Sequence, residues 1–274
     1  MGQASSVDSF INSRKDDERV RICAKVAIVQ CLLEAEERSR LVFVQQNWDF
    51  INPDMVRSSW LSQLLYILQE QIVLGVNVKD LFKNLCIINF NYDRCVEHFF
   101  YHPLQHLYSM SEHDAAELIN AHLKIHHPYG QVGQLPWQVG SPEHVVPFGG
   151  WKDVAGNQLD TLYDRIRTFN ERIEEGTVLA EMRHQMLIAR RFVFLGFHFH
   201  PPNMELLRPI DGRAEHPRVE ALATTIGRYP PERVIIEKQM RELVGPKNGK
   251  VDVVAPTDLD CTGLFAQFST TLLT

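Results

Sequence analysis

The sequence predicts an α/β fold: a mostly parallel sheet layered between helices. Two observations predict it. Short apolar runs such as Leu85–Phe90, Phe192–Leu195 and Val251–Val254 recur between segments of helical periodicity. Polar residues or glycine stand directly after several of these runs, as at Asn91, His127 and Gly196. At 274 residues the chain is long enough to bury a full core and is read as one domain, 1–274, with an irregular insertion around 131–158. A hydrophobic fraction of 45% and a charged fraction of 23% exclude a disordered chain, a collagen-like repeat and a coiled coil. The net charge of −6 provides no broad basic face, so direct nucleic-acid binding is not expected.

The elements follow in order. Val20 to Glu37 places Ile22, Val26, Val29 and Leu33 at helical spacing, with Glu34, Glu36 and Glu37 closing the helix. Trp60, Leu64, Leu65, Leu68 and Ile72 mark a second helix ending at Gly75. Leu85–Phe90 reads as a strand buried on both faces, and His122–His126 as the next strand. Residues 136–156 are rich in proline and glycine and read as an irregular excursion. Thr177 to Arg190 is a helix with Leu179, Met182, Met186 and Ile188 inward, closed by Arg190-Arg191. Phe192–Leu195 and Val219–Ile226 are strands, and Pro230–Val244 is a helix opened by proline. Val251–Val254 is the last strand, followed by a C-terminal helix.

Five scattered cysteines without C-x-x-C spacing read as reduced, buried thiols of a cytoplasmic protein. The first residues lack a secretory signal, and the Met-Gly start with Ser6 is read as a chance match to an acylation signal. No apolar stretch approaches the roughly 18 to 20 residues of a membrane span.

In a parallel α/β sheet, ligands sit outside the carboxyl ends of the strands. Three such places carry chemistry. Asn91 and Asp93 lie two apart on a strand exit and face the same way; an amide beside a carboxylate orients water and stabilises a developing sugar cation, although both residues are also common turn formers. His126, His127, Tyr129 and Gly130 offer a general base and a glycine that admits a close approach, or simply a histidine-rich loop. Gly196 marks a close approach to ligand or helix, and Thr224-Thr225 either hold a ribose hydroxyl or reflect β-propensity. His98, His102 and His106 are four apart, but Pro103 is expected to break their helix, so no metal site is assigned.

Taken in order, Ile87–Asp93, Ile125–Gly133 and Phe192–His200 followed by Asn203-Met204 resemble the sirtuin-like (silent information regulator) family, on the branch of bacterial NAD-consuming enzymes. The resemblance runs from about Ser5 to the last helix. It implies a three-layer, Rossmann-like sheet with helices on both faces that binds NAD as substrate. It further implies hydrolysis of the nicotinamide–ribose bond, as in antiviral defence against phage, by a protein that acts with a homo-oligomer or a defence-system partner. Asn91 would position the attacking water or the ribose, and Asp93 would sit near the nicotinamide. His127 or Tyr129 would serve as base, while Tyr92, Gly130, Gly196, Phe197, Thr224 and Thr225 would line the nucleotide. The family's histidine directly before the motif glycine is replaced by Tyr129, and its strand and G-A-G-x-S loop would fall ahead of Met1, so the chain is expected to lack them. The two C-x-x-C pairs of the deacetylase zinc module are absent from the sequence. The alternatives are a catalytically silent module that binds an ADP-ribose-like nucleotide or a partner, and a structural α/β subunit.

Overall fold

The computed structural model describes residues 10–11, 13–14, 16–42, 51–168, 171, 176–209, 219–245, 251–254 and 259–273. In chain order the longer elements are α1 (Glu18–Glu37), α2 (Pro53–Val56), α3 (Trp60–Val73), β1 (Cys86–Ile88), α4 (Cys95–Tyr108), α5 (Glu112–His122), β2 (Lys124–His126), α6 (Gly156–Asp164), α7 (Thr177–Ile188), β3 (Arg191–Phe194), α8 (Pro201–Leu207), β4 (Val219–Ala223), α9 (Pro230–Val244), β5 (Val251–Val254) and α10 (Cys261–Leu273). Short polar side chains start several helices. Asp17 accepts from the amides of Arg19 and Val20, Ser59 from Ser62, and Ser111 from Asp114. The fold class is mixed α/β, with strands pairing in parallel throughout the described sheets. The elements divide into two compact units, residues 1–56 with 78–174 and residues 57–77 with 175–274.

The first unit holds the pair β1-β2, in register Cys86↔Lys124 to Ile88↔His126, with α4 and α5 as the crossover between the strands. Its core joins Val29 and Leu33 of α1 to Val132, Val146, Leu162 and Ile166. The irregular segment after β2 therefore supplies core residues. Beside that core lies a fully buried ion pair. The Arg94 guanidinium meets the Glu36 carboxylate through Nε (3.2 Å) and Nη2 (2.5 Å) and donates to the carbonyls of Val146 (2.6 Å) and Pro147 (3.1 Å). Glu36 also accepts from the amides of Arg94 and Gly149.

The second unit holds the sheet β3-β4-β5. Trp60 of α3 stacks on Phe265 of α10 at 6.2 Å. Arg191 bonds Glu220 of β4 (2.9 Å) and the Leu272 carbonyl near the end of α10 (3.1 Å), so this cation serves α10 rather than closing α7.

Several expectations are corrected. β1 is half-buried at all three positions rather than buried on both faces. Ile188 is exposed, because α7 ends there and only Leu179, Met182 and Met186 reach the core. None of the five cysteines is buried. Cys23 and Cys31 are exposed because α1 turns Ala24, Lys25, Val29, Leu33 and Glu36 inward. Pro103 does not end its helix; α4 runs through it to Tyr108. A proline costs a helix interior about 3 kcal/mol, and burying Phe99, Phe100 and Leu104 on the same helix outweighs that.

His98 and His102 on that helix are packing residues. His98 bonds the Leu41 carbonyl (3.0 Å) and lies flat on Phe148, ring centroids 3.8 Å apart, while His102 meets it edge-on. Burial lowers His98 to about 4, against the Leu41 bond and with help from Arg94. Burial, with His98 and His106 beside it, lowers His102 to about 3. The unfolded rings take up protons near pH 6.5 while the folded ones stay neutral, so stability is full above that value and is lost as pH falls. Between pH 7 and 5 each ring is expected to contribute a loss on the order of 2 kcal/mol. Denaturant unfolding should show this slope, and His102→Phe should flatten it; an unchanged slope in the variant contradicts the assignment.

Candidate functional site

The carboxyl ends of β1 and β2 lie side by side, and the loops leaving them are bonded to each other. The Asn91 amide N–H donates to the Asn89 side chain (3.0 Å), and the Asn91 carbonyl faces Nδ1 of His127 (3.1 Å). Both main-chain groups of Asn91 are thus held, and the residue is exposed. Nε2 of His127 lies 2.7 Å from Oε1 of Glu97, on the first turn of α4. Asp93 accepts from the Cys95 amide (3.1 Å) at the start of the same helix. Partial burial raises the half-buried Cys95 thiol far above its usual range, and the charge and hydrogen bond of Asp93 add to this.

Tyr92 turns inward. Its hydroxyl donates to the Arg167 carbonyl (2.8 Å) and its ring packs on the core. Tyr129 is buried with its ring 6.0 Å from Phe90, and its carbonyl accepts from the Arg167 amide (2.9 Å). Gly130 has φ +85°, and a Cβ there would lie 1.7 Å from the Arg165 carbonyl oxygen. The close approach that this glycine permits is made by the protein's own backbone, so the expected ligand-facing role of Gly130 gives way to a packing role. Tyr163, Asp164, Arg167 and Glu171 line a charged cleft of about 440 Å³ with α1, where Lys25 bonds Glu171 (2.7 Å).

The second unit presents its own cluster at the ends of β3 and β4. Gly196 has φ +58°, is exposed, and has open space where a Cβ would stand. Its amide donates to Thr224 Oγ1 (2.8 Å), so that hydroxyl ties two strand ends together. Thr225 is buried, and its carbonyl accepts from Arg228 (3.0 Å). Phe197 packs against Phe194 and Phe199. The structure thus joins Asn91, Asp93, Tyr92, His127 and Tyr129 in one unit, and Gly196, Phe197, Thr224 and Thr225 in the other.

Sequence reasoning missed Glu97, Glu36 and Arg94. Glu97 lies one turn before Phe100 and Tyr101 on a strongly apolar helix, a spacing that signals burial and hence a partner. Among the described residues, no group of three or more His, Cys, Asp or Glu side chains is arranged to hold a metal, and no helix is long and apolar enough to cross a membrane. No family model, no curated protein and no solved structure matches the chain.

The two glycines make a direct comparison. Gly196→Ala meets only the left-handed penalty of about 1–2 kcal/mol. Gly130→Ala adds a backbone collision, for an expected loss of at least about 3 kcal/mol. Equal denaturant midpoints for the two variants would contradict this reading of Gly130.

Proposed function

We propose that the chain is a sirtuin-like enzyme that binds NAD and hydrolyses its nicotinamide–ribose bond, in the setting of antiviral defence that the resemblance implies. The observation that carries the proposal is Asn91: its main-chain N–H and C=O are both clamped, and its amide stands exposed at the carboxyl end of a parallel strand. Departure of nicotinamide leaves an oxocarbenium-like ribose, which a fixed amide dipole stabilises while holding the incoming water. Asp93 adds negative charge near the developing cation.

The finer, three-layer Rossmann-like reading is the one the resemblance implies, and the parallel pairing within each sheet supports it. Gly196, with its open face, and Phe197 are the residues proposed for the ribose or adenine side. A second reading, a silent module that binds an ADP-ribose-like nucleotide, is favoured by Gly130, whose open face the Arg165 backbone fills.

Nicotinamide release from NAD by the purified chain tests the proposal. Release is expected, and Asn91→Ala should lower kcat by roughly 100-fold, the scale for losing one preorganised donor. No release by the wild-type protein, or full activity in the variant, would overturn the enzyme reading. Calorimetric binding of ADP-ribose without turnover would then favour the silent module.

A further inference from the structure

Both ring nitrogens of His127 face acceptors: the Asn91 carbonyl at Nδ1 and the Glu97 carboxylate at Nε2. A main-chain carbonyl can only accept, so Nδ1 carries a proton in every state that keeps this bond. The 2.7 Å contact at Nε2 then requires a second proton, held by the ring or by Glu97. The two side chains are only 7% and 4% exposed. The other carboxylate oxygen of Glu97, Oε2, is buried and has no hydrogen-bond partner among the described residues. A carboxylate half-satisfied in this way is costly to ionise unless a cation lies against it.

We infer that Glu97 and His127 form a buried carboxylate–imidazolium pair in which Glu97 keeps the second proton on the ring, and the ring in turn holds the main chain of Asn91. With both nitrogens donating, His127 has no lone pair with which to take a proton from water. It is a positioning residue for Asn91, and Glu97 is a positioning residue acting through His127. The charges acting on the ring are Glu97 from α4 and Asp93 from the loop after β1. Burial opposes protonation of His127, but the Glu97 hydrogen bond and charge, the Asn91 carbonyl and the Asp93 charge together move its titration upward. Hydrolysis through an oxocarbenium-like ribose suits such a site, because bond breaking leads and little base assistance is needed. The catalytic meaning of the pair rests on the NAD-cleaving reading; the proton arrangement does not.

Nitrogen NMR of the full chain with labelled histidine tests this, with the His127 signals assigned by their loss in His127→Gln. Both ring nitrogens should be protonated at pH 7, with a midpoint above the ordinary value of about 6.5. Glu97→Gln keeps a donor for Nε2 but removes the charge, so the midpoint should fall by roughly one unit or more. An unprotonated Nε2 at pH 7 in the wild-type protein, or a midpoint unmoved in Glu97→Gln, would overturn the inference. The wild-type spectrum decides even if that variant fails to fold, and no turnover is read, so loss of the NAD reading and loss of the pair register separately.

Discussion

The first unit is organised around the buried contact between Glu36 and Arg94. A guanidinium with no exposed surface is tolerable only when a carboxylate and several carbonyls replace its water. Here those partners come from α1 and from the segment around Val146 to Gly149, and Arg94 itself sits between Asp93 and the start of α4. The contact therefore fixes the exit of β1 against the first helix and against the irregular stretch. Removing either partner would strand a buried charge, a loss of about 3–5 kcal/mol. Asn91, two residues before Asp93, inherits its placement from this anchor and from His127.

Much of the fold was legible because its elements announce themselves by period and punctuation. The helix from Pro230 and the strand Val251–Val254 lie where the sequence places them, since proline sets the first and a β-branched run the second. What was not legible depends on tertiary partners. The helix through Pro103 persists because aromatic burial pays for the proline, and no local rule weighs that. Glu36 stands in the sequence as one of three acidic residues closing the helix, although it continues the inward series Val29, Leu33, Glu36. The division into two units carries no proline- or glycine-rich linker to mark it, and α3 of the second unit is drawn from the middle of the first unit's sequence.

The candidate site shows the same mixture. The strand-end rule located the loops at Asn91 and His127 correctly as neighbours, because β1 and β2 pair in parallel and end together. It could not distinguish residues that face solvent from those that hold the loop. Tyr92, Tyr129 and Gly130 spend their chemistry on the Arg165–Arg167 segment, and Thr224 spends its hydroxyl on Gly196. Asn91 is the exception, held by its main chain with its side chain left outward, and the functional reading rests on that contrast.

The most direct measurement is amide chemical-shift mapping of the labelled chain during titration with ADP-ribose and with nicotinamide, the two products of the proposed reaction. The account predicts shifts concentrated at residues 89–93 and 126–131. Saturating ligand that leaves the amides around Asn91 unmoved would contradict it.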